Sequence, residues 1–324
     1  MIKIGVDLGG TNTAAGIVDG SGTKLSAKVS VPTKRGDENE IVESIVSAVE
    51  GLLLTARAEV GDVMSIGLAS PGIVNREEGI VEFASNLPLR DFPLAAAVSE
   101  RLSIDKERVH MVNDAAAAAI GEYFAGAGRG TRDFIVMTLG TGIGGGIIVD
   151  GHLLTGHNHA GGEIGHTVIV EGGEPCGCGR RGCAEAYCSV TGLIRMTKES
   201  IDKCGKSSVP TLMTDIAAEA GKIGGRTAFD AMRAGDAAGT VVVERYITYL
   251  AAAVTNYINI FQPEVFAVGG GISNEGDTLI VPLREKVYAE MYNRSQPRAL
   301  FCEIKRAELG NDAGIFGAAL AENV

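Results

Sequence analysis

The chain has 324 residues, 45% of them hydrophobic and 21% charged, a composition that suits a globular fold and at this length favours two domains over one. Its net charge is −11 with no Lys/Arg block, which argues against a nucleic-acid-binding role. No run reaches the roughly 18 apolar residues of a membrane span. Met1 leads directly into a strand-like Ile2–Asp7 with no signal-peptide pattern, so the chain reads as cytoplasmic.

In chain order, Ile2–Asp7 is predicted as a strand, followed by a Gly-rich turn, an antiparallel partner at Thr13–Val18 and a third strand at Leu25–Val31. Apolar spacing through Ile41, Ile45, Ala48 and Leu52 predicts a helix from Glu40 to about Ala56. Val63–Ala69 reads as a strand running into the turn Ser70-Pro71-Gly72, then Phe92–Leu102 as a helix and Val109–Asn113 as a short strand. An Ala-rich helix, Ala115–Tyr123, begins just after Asp114. Asp133–Leu139, the Gly/Thr run Gly140–Gly146 and Ile147–Val149 then repeat the opening of the chain. That repeat predicts two related α/β domains. A long apolar segment at Ala237–Phe261, a strand at Val265–Val268 ending in Gly269-Gly270-Gly271, and a helix from Ala313 to about Ala321 complete the pattern.

Two turns carry the chemistry of anion binding. In Asp7-Leu8-Gly9-Gly10-Thr11-Asn12 the backbone N–H groups and the Thr hydroxyl can donate to phosphate oxygens. Asp7 at the strand end can hold Mg²⁺, usually through water. Taken alone, the turn reads equally as a plain hairpin. Gly140-Thr141-Gly142 repeats the device, and two such turns facing each other would grip the β- and γ-phosphates. Gly269, Gly270 and Gly271 would let a flat adenine or ribose approach the backbone. Asp114, at a strand end before a helix, can accept a hydroxyl proton during phosphoryl transfer, with Asn113 bonding a neighbouring hydroxyl. The competing reading makes Asp114 a helix N-cap. Six cysteines are present, three of them packed at Cys176, Cys178 and Cys183, ten residues and more after His166. One His and three Cys give a closed tetrahedral set for a structural Zn²⁺. Cys188, Cys204 and Cys302 read as plain core or surface residues, and His110, His152, His157 and His159 as structural or exposed.

Taken in order, Asp7-Leu8-Gly9-Gly10-Thr11, Asn113-Asp114, Gly140–Gly146, Glu163-Ile164-Gly165-His166, Cys176-x-Cys178-Gly179-x-x-Gly182-Cys183-x-Glu185 and Gly310–Ala319 resemble the ROK family (repressors, open reading frames and kinases). That family lies within the superfamily of sugar kinases, actin and heat-shock chaperone ATPases. The resemblance implies an actin-like two-domain α/β fold with an ATP cleft between duplicated domains. The small domain is expected at 1–114 plus about 306–324 and the large one, with the zinc segment, at 115–305. The resemblance also implies Asp114 as catalytic base and sugar contacts from Gly72, Asn86, Asn113, Asp114, Glu163, His166 and Glu185. His166 would touch both zinc and sugar, so that zinc shapes the sugar pocket without doing chemistry. The expected reaction passes the γ-phosphate of ATP to the 6-hydroxyl of a hexose. Glucose is favoured, because Glu185 and the Asn86 loop suit a free C2 hydroxyl; N-acetylmannosamine, N-acetylglucosamine or another hexose is the alternative. A sugar-responsive repressor is disfavoured, since only six residues precede Asp7 where a helix-turn-helix would stand. The resemblance further implies a dimer or tetramer.

Overall fold

A computed structural model describes every residue of the chain except Ser85. Its strands are β1 (Ile2–Leu8), β2 (Asn12–Val18), β3 (Leu25–Pro32), β4 (Val63–Ser70), β5 (Ile73–Asn75), β6 (Ile80–Phe83), β7 (Arg90–Phe92), β8 (Val109–Asn113), β9 (Phe134–Leu139), β10 (Ile143–Val149), β11 (His152–Leu153), β12 (Val265–Gly269) and β13 (Glu303–Arg306). Its α-helices are α1 (Glu38–Ala56), α2 (Leu94–Leu102), α3 (Asp114–Ala125), α4 (Ala184–Cys188), α5 (Val190–Lys206), α6 (Leu212–Glu219), α7 (Thr227–Arg233), α8 (Ala237–Phe261), α9 (Asp277–Glu290) and α10 (Ala313–Leu320). Two five-stranded sheets run β3-β2-β1-β4-β8 and β11-β10-β9-β12-β13, and a three-stranded sheet runs β5-β6-β7. The chain divides into two compact units: 1–136, 145–162 and 307–324, and then 137–144 and 163–306. The expected boundary at 114 falls between β8 and α3, inside the first unit.

In the first unit β1 pairs antiparallel with β2 and parallel with β4, so the turn after β1 is a hairpin and β4 returns by a crossover through α1. One apolar cluster joins this sheet to α1 and α2 through Ile4, Val6, Ile41, Ile45, Leu52 and Val98. A separate cluster joins Ala69 and Val112 of the sheet to Ala117 and Ile120 of α3 and Ala318 of α10. Close approach of α10 depends on glycine. A Cβ on Gly67 would lie 1.7 Å from the Ala318 carbonyl oxygen, and one on Gly317 would lie 1.6 Å from that of Ala117.

In the second unit α8 packs against α4, α5, α7 and α9. Contrary to the sequence reading, this helix meets the length and composition of a membrane span, yet half of its apolar window is buried inside the fold. It is a core helix. Its N-cap, Asp236, accepts from Gly239 N at 2.6 Å and also from Leu212 N at 2.8 Å, which fixes the start of α6 against it. The second strand of the repeat begins at Ile143 and not at Ile147. Glycines have poor strand propensity, but here Gly146 lets β10 lie against α3, where a Cβ would stand 2.4 Å from Ala119 Cβ.

Candidate active site

In the first unit the hairpin turn closes on itself, with Gly9 N donating to Asn12 O at 3.0 Å. The buried Thr33 props it from β3's end: its hydroxyl donates to Gly9 O at 2.8 Å and its N–H to Thr11 O at 2.9 Å. Among the described residues nothing in the protein accepts the Gly10 or Thr11 amide hydrogens. Asn86 stands over the turn, since a Cβ on Gly10 would lie 3.6 Å from Asn86 Nδ2. Asp7 sits at the foot of the turn, with its carboxylate against the backbone of Gly314 in α10. Burial pushes the Asp7 carboxyl up to about 6; the Asp114 charge adds to the rise and Lys28 opposes it. Two buried carboxylates this close disfavour each other's charge.

Asn113 and Asp114 divide the work that the sequence left open. Asn113 is the N-cap of α3, its Oδ1 accepting from Ala115 N at 2.9 Å and Ala116 N at 3.1 Å. Its Nδ2 donates to Gly72 O at 2.9 Å. Gly72 has φ +96°, and a Cβ there would strike the Phe83 carbonyl at 2.0 Å, so the turn after β4 admits only glycine. Asp114 is the first helical residue and accepts from Ala115 N at 2.8 Å through Oδ1. The capping reading of Asp114 is therefore corrected: both Asn and Asp cap well, and the register of the helix start gives that place to Asn113. Burial raises the Asp114 carboxyl above the ordinary range, against the lowering effect of its N–H bonds.

The second unit holds the other turn, where Gly140 N donates to Gly142 O at 3.0 Å. Among the described residues the Thr141 and Gly142 amide hydrogens likewise meet no protein acceptor. Gly270 (φ +80°) packs its backbone onto Leu139 just before this turn, where a Cβ would lie 2.4 Å from Leu139 O. Packing alone thus requires glycine at 270, whereas Gly269 ends β12 in the core and Gly271 faces open space.

His166 ends a short 3₁₀ turn, Ile164–His166. The Tyr257 hydroxyl of α8 holds this turn through the Ile164 carbonyl and also meets the Thr167 hydroxyl. His166 Nδ1 faces Cys176 Sγ at 3.5 Å, while Nε2 faces the carboxylate of the exposed Glu163 at 3.9 Å. The ligand atoms of His166, Cys176, Cys178 and Cys183 all lie within 4.8 Å of one another. A tetrahedron of Zn–S bonds holds its sulfurs about 3.8 Å apart, and Cys178 and Cys183 stand 3.7 Å apart. The four residues fit a zinc ion. Without one, burial pushes the Cys176 thiol up to about 12. Cys188 and Cys302 are buried apart from this group.

Glu185, expected as a sugar contact, is also tied to the protein itself. Its Oε2 accepts from Ile143 N at 2.9 Å and its Oε1 lies 3.5 Å from Cys176 Sγ. The bond spans 42 positions of sequence, and no local pattern could have signalled it.

The ROK family model matches residues 3–323, and the chain belongs to the ROK family. It is 39% identical over 323 residues to a glucokinase of Thermotoga maritima, covering 98% of this chain and 95% of the relative. It is 37% identical over 316 residues to a glucokinase of Halalkalibacterium halodurans, covering 97% and 92%. Among solved structures, a ROK family glucokinase from Streptomyces griseus in complex with glucose and AMPPNP superposes with a TM-score of 0.78 at 34% identity, covering 98% of each chain. The fold class is that of the sugar kinases, the actin-like ATPase fold that the family resemblance implied.

Proposed function

We propose that this chain is an ATP-dependent hexose kinase that transfers the γ-phosphate of ATP to the 6-hydroxyl of glucose. The observation that carries the reaction is the division of labour at the start of α3: Asn113 caps the helix and leaves the Asp114 carboxylate to accept a proton. Glucose is favoured by the full-length relatives named glucokinase and by the glucose and AMPPNP complex of the Streptomyces griseus relative.

Asp114 takes the 6-hydroxyl proton as the new O–P bond forms and the bond to the departing ADP breaks. Its raised pKa makes it a stronger base than an exposed aspartate, provided it is ionised at the working pH. Gly72, Asn86 and Asn113 would bind sugar hydroxyls beside it. Asn113 spends Oδ1 on its cap and one amide hydrogen on Gly72, and keeps one hydrogen for a hydroxyl. On the second unit, Glu163, His166 Nε2 and Glu185 supply further partners for hydroxyls. The turns at Gly9-Gly10-Thr11-Asn12 and Gly140-Thr141-Gly142 offer their free amides to phosphate oxygens. Asp7 would hold Mg²⁺, which neutralises charge on the β- and γ-phosphates when bound. Cys176, Cys178, Cys183 and His166 Nδ1 would hold a structural zinc that fixes the imidazole so that Nε2 faces outward.

A coupled ADP-release assay over a panel of hexoses tests the reading. Glucose should give the highest kcat/KM. A higher value for N-acetylmannosamine or N-acetylglucosamine would overturn the choice of sugar, and no turnover of any hexose would overturn the reaction.

A further inference from the structure

The four-residue metal cluster is built onto the backbone of the second glycine turn. Cys183 is the N-cap of α4, and two residues on Glu185 accepts from Ile143 N at 2.9 Å. From the start of α5, Val190 N donates to Gly140 O at 2.8 Å and the Thr191 hydroxyl to Thr141 O at 2.7 Å. On the side of His166, Gly165 lies so close that a Cβ would stand 2.7 Å from Ile143 O. Two of the four ligands thus have neighbours clamped onto residues 140–143. Among the described residues Glu185 alone reaches both ways, with Oε1 3.5 Å from Cys176 Sγ and Oε2 on the turn. Its fit there is tight, since a Cβ on Gly142 would lie 2.4 Å from Oε2.

We propose that Glu185 is a positioning residue that couples occupancy of the His166/Cys176/Cys178/Cys183 cluster to the shape of the Gly140–Gly142 turn, so that metal and nucleotide each tighten binding of the other. The inference rests on reading that turn as phosphate-binding. The direction in which the Thr141 and Gly142 amides point is set by the backbone at 140–143. An ion that locks Cys183, the N-cap of α4, holds α4 and with it Glu185, and so holds the amides ready for phosphate before it arrives. A phosphate that holds the turn must by linkage favour the metal-loaded cluster by the same factor.

The experiment uses the full chain loaded with zinc. Zinc affinity is measured by competition with a chelator of known affinity, with and without Mg-AMPPNP, and AMPPNP affinity is measured by calorimetry on loaded and stripped protein. Each ligand should tighten the other by the same factor, on the order of tenfold, as is typical of coupled sites. Glu185→Ala should bring both factors close to one. It should also weaken AMPPNP for the metal-loaded protein by about tenfold, the share of affinity the coupling supplies, a comparison that does not need stripped protein to stay folded. Glu185→Gln keeps an acceptor for Ile143 N–H and an amide beside the Cys176 sulfur, and should retain the parent factors. Equal zinc affinity with and without AMPPNP overturns the coupling. Parent-like factors in Glu185→Ala remove Glu185 as the link. If the loaded parent protein binds no AMPPNP at all, the nucleotide reading itself falls, a result separate from a bound nucleotide that leaves zinc untouched.

Discussion

The two glycine turns use one backbone device in opposite settings. Both close on themselves with a 3.0 Å backbone bond, Gly9 N to Asn12 O in one and Gly140 N to Gly142 O in the other. Both have a threonine hydroxyl on a turn carbonyl, from Thr33 and from Thr191. They part at the residue two before the first glycine, which is Asp7 in one and Thr138 in the other. The first turn stands beside two carboxylates whose pKa values are raised by burial. The second has no carboxylate on its own strand and is propped from outside by the segment that follows Cys183. The same N–H turn is thus held by local charge in one place and by distant scaffolding in the other, and the two should fail in different ways.

The sharpest break of the comparison is Asp114→Asn. The amide cannot take the hydroxyl proton, so kcat should fall by roughly 10²–10⁴-fold, the usual worth of a positioned base. Because Asn113 holds the cap and the substitution removes a buried charge that also repels Asp7, the melting temperature should be no lower than the parent value, and AMPPNP affinity should change little. A folded variant with near-parent turnover would remove Asp114 as the base.

Next comes the scaffold side. Cys178→Ser should take the zinc content from about one ion per chain, the stoichiometry of a closed four-ligand site, to none. Hydrogen exchange should then speed up at 137–144 and 163–191 and stay at the parent rate at 7–12, since local opening follows the unit that loses its metal. Equal loss of protection at both turns would show that the second is not separately scaffolded.

How much of this was legible in the sequence depended on distance along the chain. The repeated strand–turn–strand, the Cys176/Cys178/Cys183 spacing and the glycine after β4 are local patterns, and the fold kept them. The small sheet β5-β6-β7 escaped notice because its strands have only three or four residues, too few for a period of two to stand out. Helices α5, α6 and α7 were not separated as elements in the sequence. Cap and base could not be separated at Asn113-Asp114, because both residue types cap equally and only the hydrogen bonds fix the register. Links such as Glu185 to Ile143, or the buried Glu122 accepting from Leu309 N at 2.7 Å, join residues far apart and leave no trace in spacing.

The charge at the first turn should also be visible in stability. With a folded pKa of about 6 against an ordinary 3.8, Asp7 contributes most below the unfolded value, and this contribution is lost as pH rises through about 6. Above that, ionised Asp7 costs up to about 3 kcal/mol by the linkage relation. Asp7→Asn cannot ionise. Without metal or nucleotide it should be more stable than the parent by up to that amount at pH 7.5, and about equal to it at pH 4. Urea unfolding at the two values checks this. Thr138→Val, at the matching place in the second turn, should show no such dependence, and a pH-independent gain in Asp7→Asn would mean that Asp7 is not the strained charge.

The smallest effect separates the two threonine props. Thr33 is 9% exposed, and its hydroxyl lies 2.9 Å from that of Thr13, which is fully buried. Thr33→Val keeps the side-chain shape but leaves the half-buried Gly9 carbonyl without its partner and the Thr13 hydroxyl short of one away from water. Such orphaned groups cost about 1–3 kcal/mol. Thr191 makes the matching bond to Thr141 O at 2.7 Å, but it is solvent-exposed. Water can replace its hydroxyl, so Thr191→Val should cost about 0.5 kcal/mol or less, the range of exposed substitutions. The second turn also keeps its bonds from Val190 and Glu185, whereas Thr33 supplies two bonds to the first, to Gly9 O and to Thr11 O. Urea unfolding of the two variants side by side gives the ratio directly. If Thr191→Val proved as costly as Thr33→Val, the second turn would depend on its own threonine as the first does, and the distinction between a turn held from within and one held by the metal segment would fail.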